Sequence, residues 1–550
     1  MGKLFRPALT LLAAAIAMFV VSACGSDDTG GGGAGKKGGS ITISQSSQPD
    51  YMDPALAYTV NAWEPQWLVY TPPVTYKRAE GKEGTKLMPG VAEAMPEISN
   101  GGKTYTFILR KGLKYSNGKP VKASDFEHTI KRVLNLESGG SAFYEAIEGA
   151  EDYTKAGKPE GDISGIETDD KTGKVTINLT EPDGTFMHVL AMNFAGIVPG
   201  DMPFKNLSKD PPPGVGPYAV TRSVPNREFV MEKNRNFDIP DIPKGNIDKI
   251  TTKIVKSGER QAQDVISGKL DYMQDPPPTD LLPEVRTKYK DRYQEHVTVS
   301  TYYFFLNERT PPFDKKEVRE AVNYALDSKA LARLFGGRLE PSCNFLPPNM
   351  EGYEKLDPCP WGDPAEPGDL KKARELIDKA GVKGDPVTVY TNNDPTRPEI
   401  GQYYTDLLNK IGLKAKLKVI DAGVYFASMG NAKTKAATGF DNWFQDFPHP
   451  GNFLFLLASG TIQPTNNQNH GDVSDPELDK LIETVNAGPA TDPKVQEAAA
   501  AADKLAVENS YVAPYGHEKV STFMSERMDF ENCGLFHPLY QNDYSSFCLK

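Results

Sequence analysis

From residue 299 to residue 509 the chain alternates strand-like and helix-like segments, and this rhythm constrains the fold more than any other feature of the sequence. VSTYYFFLNE (299–308) is a run of β-branched and aromatic residues that reads as a strand. Behind it, DKKEVREAVNYALDSKALARLF (314–335) places Val318, Val322, Ala325, Leu326 and Leu331 on one helix face. The pattern continues with a helix at DLKKARELIDKAG, a strand at PVTVYTN, a helix at EIGQYYTDLLNKIG and a strand at LKAKLKVI. PELDKLIETVNAG and KVQEAAAAADKLAVEN read as further helices, the alanine run being a strong helix former. Strands alternating with helices imply α/β layering.

The first half is less regular. SITISQ (40–45) alternates like a strand, and PDYMDPALAYTVNAWEPQWLVY (49–70) reads as a loop leading into a helix. KTYTFILRKGLKYSNGKPV (103–121) reads as two strands with a turn at Asn117-Gly118. ASDFEHTIKRVLNL predicts a helix with Ser124 as N-cap and Glu127 completing a capping box. GKVTINLTEP is a strand, and GVGPYAVTRSVPNREFVMEKN a second hairpin. A chain of 550 residues exceeds what one core serves, so two or three domains are expected. The 44 prolines and 49 glycines supply the many turns such a plan needs.

The amino terminus follows a different logic. Lys3 and Arg6 precede an apolar stretch, Leu9 to Val21, of signal-peptide length. It ends in Val21-Ser22-Ala23-Cys24-Gly25, a lipobox-like sequence, which predicts cleavage after residue 23 and lipid on Cys24. Residues 24–39 then form a flexible glycine-rich tether with a reach on the order of 20 Å. The expected product is an exported body, lipid-anchored to the outer face of the cell membrane. Its net charge of -11 falls further when Lys3 and Arg6 leave with the leader, and no basic run offsets it, so nucleic acid is not an expected partner.

Four cysteines remain: Cys343, Cys359, Cys533 and Cys548. An even number in an exported chain suggests disulfides, and the sequence-local pairs are 343–359 and 533–548. Metal binding is the weaker reading, since no Cys-x2-Cys spacing exists and only seven histidines are scattered along the chain. No metal and no cofactor is expected. Catalytic motifs are equally sparse. Ser116-Asn117-Gly118-Lys119 matches S-x-x-K, but Asn-Gly puts it in a hairpin turn and not at a helix start. No G-x-S-x-G, H-E-x-x-H, Walker A or dinucleotide fingerprint occurs, so an enzyme is disfavoured. One segment stands apart. WFQDFPHPGNF (443–453) holds a carboxylate and a histidine among four aromatics and two prolines, and the prolines make it irregular.

Three stretches, taken in order, resemble family 5 extracellular solute-binding proteins, the oligopeptide- and dipeptide-binding components of bacterial ABC importers. They are KLMPGVAEAMPEISNGGKTYTFILRKGLKYSNGKPVKASDFEHTIKRVL (86–134), GVGPYAVTRSVPNREFVMEKNRNF (214–237) and FFLNERTPPFDKKEVREAVNYALDSKAL (304–331). The resemblance implies a two-lobed α/β clamshell of the periplasmic-binding-protein type, with ligand enclosed between the lobes and an extra subdomain inserted in lobe I. Lobe I would comprise 40–70, 197–302 and 517–550, the insert 71–196, and lobe II 303–516, with hinge strands near Thr301–Phe305 and Pro514–Glu518.

The implied activity is capture of short peptides by a monomer that delivers them to an ABC permease and its ATPase. In peptide-binding members an aspartate in a Trp-x-x-Asp segment pairs with the ligand ammonium, and Trp443 and Asp446 match it, with Phe444 alongside. The rival reading is that Asp446 stitches its own turn. Tyr58, Thr59 and Val60 align with the lobe I strand whose backbone pairs with peptide. Phe143 or Tyr144 would line a side-chain pocket, and His517 lies near the hinge. For these three, packing is the rival reading. Two departures point away from an ordinary peptide. His449 stands where the family often has Asp, Asn or Glu, and YTPPV (70–74) replaces a Tyr-Glu-Gly-Leu type sequence. An oligosaccharide, a metal complex or a peptide signal is therefore the alternative cargo.

Overall fold

Two strands carry the chain between its halves. In the computed structural model, which describes residues 36–550, Ser300–Leu306 is buried along its whole length and pairs antiparallel with the 13-residue strand Val512–Met524. The first half of that long strand, Val512–Gly516, pairs with Ser300–Leu306; its second half pairs with Tyr293–Val297 and Tyr272–Met273. One sheet of 12 strands therefore runs through the molecule. On one side of the crossing strands lie Thr438–Phe444, Pro386–Asn392 and Lys414–Ile420; on the other lie Ser40–Gln45, Lys249–Ile254, Glu228–Lys233 and Tyr218–Val224. Gly516 lies in the long strand beside the short strand Leu339–Glu340. A Cβ there would lie 2.5 Å from the Glu340 carbonyl oxygen, so the crossing requires glycine.

Burial separates into distinct cores. One gathers residues from Tyr302 to Tyr515, with Phe304 stacked on Tyr404 at 3.8 Å. Another surrounds the helix Ser124–Asn135 and a four-stranded antiparallel sheet (Glu97–Ser99, Thr104–Ile108, Lys174–Asn178 and Ile166–Asp169). A third packs Ile43, Ile250, Tyr272 and Phe547 beneath the outer strands. The result is a two-lobed α/β clamshell, with the small sheet as an extra subdomain on the first lobe.

Several local expectations need correction. Ser124 is not an N-cap: Ala123 precedes the helix in helical geometry, and Ser124 spends its amide and hydroxyl on Asp170 at 2.9 and 3.1 Å. Asp125 instead reaches back to the Lys122 amide at 2.9 Å, while Glu127 pairs with Lys131 at 2.7 Å. The single helix expected over 314–335 is two, Lys316–Ala325 and Ser328–Leu334, because the Asp327 carboxylate caps the second by accepting from the Ala330 amide. The second strand of 103–121 reduces to one bridge between Lys114 and Pro120, closed by a turn with Gly118 at φ +84°. The leader and Cys24 lie outside the described residues, but the tether ends before residue 39. The Lys36 amide donates to the Leu549 carbonyl at 2.8 Å and the Gly38 amide to the Asn246 carbonyl at 2.7 Å.

Cys343 is joined to Cys359 and Cys533 to Cys548, with Cα separations of 6.3 and 5.6 Å. The second bond closes a loop of 15 residues in the C-terminal tail, which chain entropy values at roughly 3 kcal/mol. Replacing both Cys533 and Cys548 by serine is expected to lower unfolding free energy by about that amount. Urea denaturation checks this, and an unchanged midpoint would contradict it.

Candidate functional site

Between the two lobes lies a cavity of about 280 Å³, close to the lower end of ligand-site volumes. Its walls come from segments far apart in sequence: the loop 47–64 on one lobe, the strand-to-helix loop 392–397 and the end of Thr438–Phe444 on the other, and Tyr302 and Glu518 of the crossing strands. The lobes are closed over it. The Gly184 amide donates to the Asn486 carbonyl at 2.9 Å, and Thr465 donates its hydroxyl to Glu137 at 2.6 Å.

Asp446 faces this cavity. It follows the strand Thr438–Phe444, which already contains Trp443 and Phe444, so the irregular segment begins only at Gln445. Asn452, in the short helix Gly451–Leu454, clamps it: the Asp446 amide donates to Asn452 Oδ1 at 2.7 Å and Asn452 Nδ2 donates to Asp446 Oδ2 at 2.9 Å. Across the cleft the Tyr58 hydroxyl donates to the same Oδ2 at 3.1 Å. The carboxylate is 7% exposed, and among the described residues no lysine or arginine lies within ion-pair distance of it. Burial pushes its pKa up to about 7 against the opposing pull of the Asn452 and Tyr58 hydrogen bonds. Aromatic rings surround it. Trp443 meets Tyr58 edge-on at 5.4 Å, and Tyr58 stacks on Trp63 at 5.6 Å. A buried carboxylate beside aromatic faces is a place for a cation.

A guanidinium lines the same cavity, and among the described residues no carboxylate lies within ion-pair distance of it. Arg397, in the first turn of the helix Arg397–Ile411, donates from Nη2 to the Tyr302 hydroxyl at 3.1 Å, with its guanidinium carbon 4.7 Å from the Phe440 ring centre. The Tyr302 hydroxyl in turn donates a hydrogen bond to Oε2 of Glu518, whose Oε1 pairs with Arg338. Arg338 and Glu518 therefore satisfy each other, whereas the Arg397 guanidinium has no carboxylate within ion-pair distance among the described residues.

The remaining expected residues divide. Phe444 lines the cavity, edge-on to Tyr302 at 6.1 Å. Tyr58, Thr59 and Val60 also line it, but not as a strand. The Tyr58 amide donates to Asp50 at 2.8 Å, the Thr59 carbonyl accepts from Ala62 and Trp63, and Val60 begins the helix Val60–Gln66. That backbone has no free edge for strand addition. Tyr144 lies outside the cavity: it is fully buried in the subdomain core, its hydroxyl 3.4 Å from the Val189 carbonyl. Phe143 packs on Phe455 at 5.1 Å. His517 also points away. Successive residues of a strand face opposite sides, so Glu518 and Val520 line the cavity while His517 holds the Ser300 carbonyl at 2.8 Å. His449 is a corner post. Its Nδ1 accepts from the Gly451 amide at 3.1 Å, so Nε2 carries the proton and donates to the Gly488 carbonyl at 3.0 Å. Arg397 and Glu518 went unread because no local pattern marks them; only the folded chain brings 302, 338, 397 and 518 together.

A sheet shared by two lobes, closed over a cavity of aromatic and charged side chains, defines a solute-binding clamshell. The comparisons agree: residues 86–465 match the model of the bacterial extracellular solute-binding proteins, family 5 Middle, and the chain belongs to that family. It is 28% identical over 463 residues to di/tripeptide-binding protein 1 of Pseudomonas aeruginosa (strain UCBPP-PA14), covering 80% of this chain and 82% of that protein. It is 26% identical over 491 residues to the oligopeptide-binding protein OppA of Bacillus subtilis (strain 168), covering 85% and 86%. Among solved structures, clavulanic acid biosynthesis oligopeptide binding protein 2 superposes with a TM-score of 0.78 at 25% identity, covering 94% of this chain and 96% of that one.

Proposed function

We propose that this protein captures short peptides with a free amino terminus in the interlobe cavity and delivers them to the membrane permease of an ABC importer, anchored through lipid on Cys24. The observation that carries the reading is Asp446, a buried carboxylate in the cavity wall with no cation beside it. Enclosed with a ligand ammonium it gains far more than an exposed pair does, so closure is rewarded only around a cationic end. Arg397 complements it with a guanidinium for a carboxylate. The names of the similar proteins, which describe di-, tri- and oligopeptide binding, support the same cargo. In this reading lobe I is 40–70, 197–302 and 517–550, the insert 71–196, and lobe II 303–516. Ligand binds the closed form better and shifts the population toward it.

Thermal shift against pools of tripeptides and of oligosaccharides tests the cargo, and stabilisation by sugars but not peptides would sink the peptide reading. Arg397→Gln is expected to weaken peptides with a free carboxylate by roughly tenfold while leaving their C-terminal amides unchanged, at about 1.4 kcal/mol for one charge-assisted contact. Titration calorimetry on the acid–amide pairs reads the difference. Equal losses for acid and amide would remove Arg397 from the site.

A further inference from the structure

Asp446 and Phe447 are neighbours in sequence but face different partners. Asp446 lines the cavity, whereas Phe447, 2% exposed, is buried in the core that surrounds the helix Ser124–Asn135. Among the described residues it is the one buried member of that core drawn from 303–516. Its ring stacks on His188 at 5.7 Å and meets Phe143 edge-on at 6.1 Å. His188 Nδ1 and the Tyr76 hydroxyl lie 2.8 Å apart, a hydrogen bond that holds the imidazole under the ring. Phe143 also packs on Phe455 at 5.1 Å, so one ring from the insert contacts two from the facing lobe.

The segment that carries both residues is stiff. The His449 amide closes a tight turn on the Phe447 carbonyl at 2.8 Å, and Pro448 and Pro450 fix their own φ. His449 braces the corner against Gly451 and Gly488, and Asn452 holds Asp446 through both ends of its carboxamide. Asp446 and Phe447 therefore shift together. Withdrawing the ring from the insert draws the carboxylate away from the opposite wall, where Tyr58 donates to it at 3.1 Å. Several other contacts along this seam are polar. Gln445 Nε2 donates to the Pro538 carbonyl at 3.1 Å, beside the Gly184–Asn486 and Thr465–Glu137 bonds described above. Water replaces such bonds when the lobes part, so each contributes little net. Water does not replace an aromatic ring in an apolar seat, and exposing that surface costs free energy in proportion to its area.

We propose that Phe447 is a positioning residue that couples ammonium recognition to closure. It is an apolar bolt seated in the insert, which brings Asp446 up to its ligand only in the closed form and holds that form shut. The inference rests on the peptide reading and the lobe boundaries given above, and adds the residue that ties binding to lobe movement.

Two measurements test it. One is stopped-flow dissociation of a tripeptide with a free amino terminus, followed by the fluorescence of Trp63 and Trp443, which line the cavity. The other is small-angle X-ray scattering of the ligand-free proteins. Phe447→Ala is expected to raise the dissociation rate about 30-fold while the association rate moves by less than about threefold. Its radius of gyration without ligand should exceed that of the wild type. Phe447→Leu, which keeps an apolar side chain, should recover most of both effects. Phe143→Ala, across the seam, should speed dissociation in the same way and add little on top of Phe447→Ala. A ring that merely filled the core of one lobe would lower unfolding free energy and leave dissociation and scattering unchanged. That outcome overturns the proposal, and Phe143→Ala alone decides it should the Phe447 variants fail to fold. If no peptide binds the wild type, the peptide reading falls, and the ligand-free scattering decides the bolt by itself: equal radii for wild type and variant overturn it.

Discussion

Asp446→Asn is expected to weaken binding of peptides with a free amino terminus by roughly 30-fold or more, the low end of the range for removing one partner of a buried charge pair. The carboxylate is nearly sealed from water, and its fixed donors, Asn452 and Tyr58, bring no net charge. A ligand ammonium therefore supplies the full counter-charge that the described residues do not. The pH dependence follows. With the free carboxylate at about pKa 7, affinity should fall toward tenfold per unit below that pH, because binding then displaces a proton, and should fall again above about pH 8 as the ligand amine loses its own. Stability runs the other way. A carboxylate whose pKa is raised by folding contributes stability that is complete below its unfolded value near 3.8 and is lost as pH rises through about 7. The ligand-free Asp446→Asn variant cannot ionise at this position, so at pH 8 it should unfold no more easily than wild type while binding far worse. A residue that only stitched its own turn would lose stability and binding together. Glu64, raised to about 7 by burial, titrates in the same window, so the comparison must be variant against wild type and not pH against pH.

Arg132→Met is expected to lower unfolding free energy by about 3–5 kcal/mol. Arg132 and Asp53 form an ion pair with both side chains fully buried, joining the helix Ser124–Asn135 to the loop before the helix Val60–Gln66. Asp53 also accepts from the Leu207 amide at 2.8 Å and the Ala55 amide at 3.1 Å, and Arg132 reaches the Pro203 carbonyl. Removing the guanidinium strands a carboxylate in the core, where ionisation is costly. The same loop presents Tyr58 to Asp446, so ligand affinity should fall as well. Urea denaturation followed by circular dichroism measures the effect. A loss below about 1 kcal/mol would mean the site admits water once the arginine is gone.

How much of this was legible depended on whether the signal was local. Strands with clear alternation, such as Ser40–Gln45 and Pro386–Asn392, appear where the sequence places them. The helix over 314–335 broke because Asp327 offered a cap in mid-run, a competition that apolar spacing does not register. Ser124 looked like a cap until Asp170, 46 residues away, took its hydroxyl. At the site, Trp443 and Asp446 were readable because their segment is contiguous, while Arg397 and the seat of Phe447 against His188 needed the fold to bring distant segments together. Tyr58–Val60 misled for a physical reason. The resemblance assigned them to a pairing strand, whereas Asp50 and the start of the helix Val60–Gln66 take up their backbone groups, in keeping with the loop-into-helix reading of the residues themselves. His449, the residue that seemed to unsettle the cargo, faces Gly451 and Gly488 and leaves the cargo question to the cavity wall.

The central claim is that Asp446 recognises a ligand ammonium. The direct measurement is titration calorimetry at pH 8 with one tripeptide in two forms, free and N-acetylated, against wild type and Asp446→Asn. The free peptide should bind the wild type at least about tenfold more tightly than the acetylated one, and the difference should vanish in the variant. Equal binding of the two forms to the wild type would contradict the account.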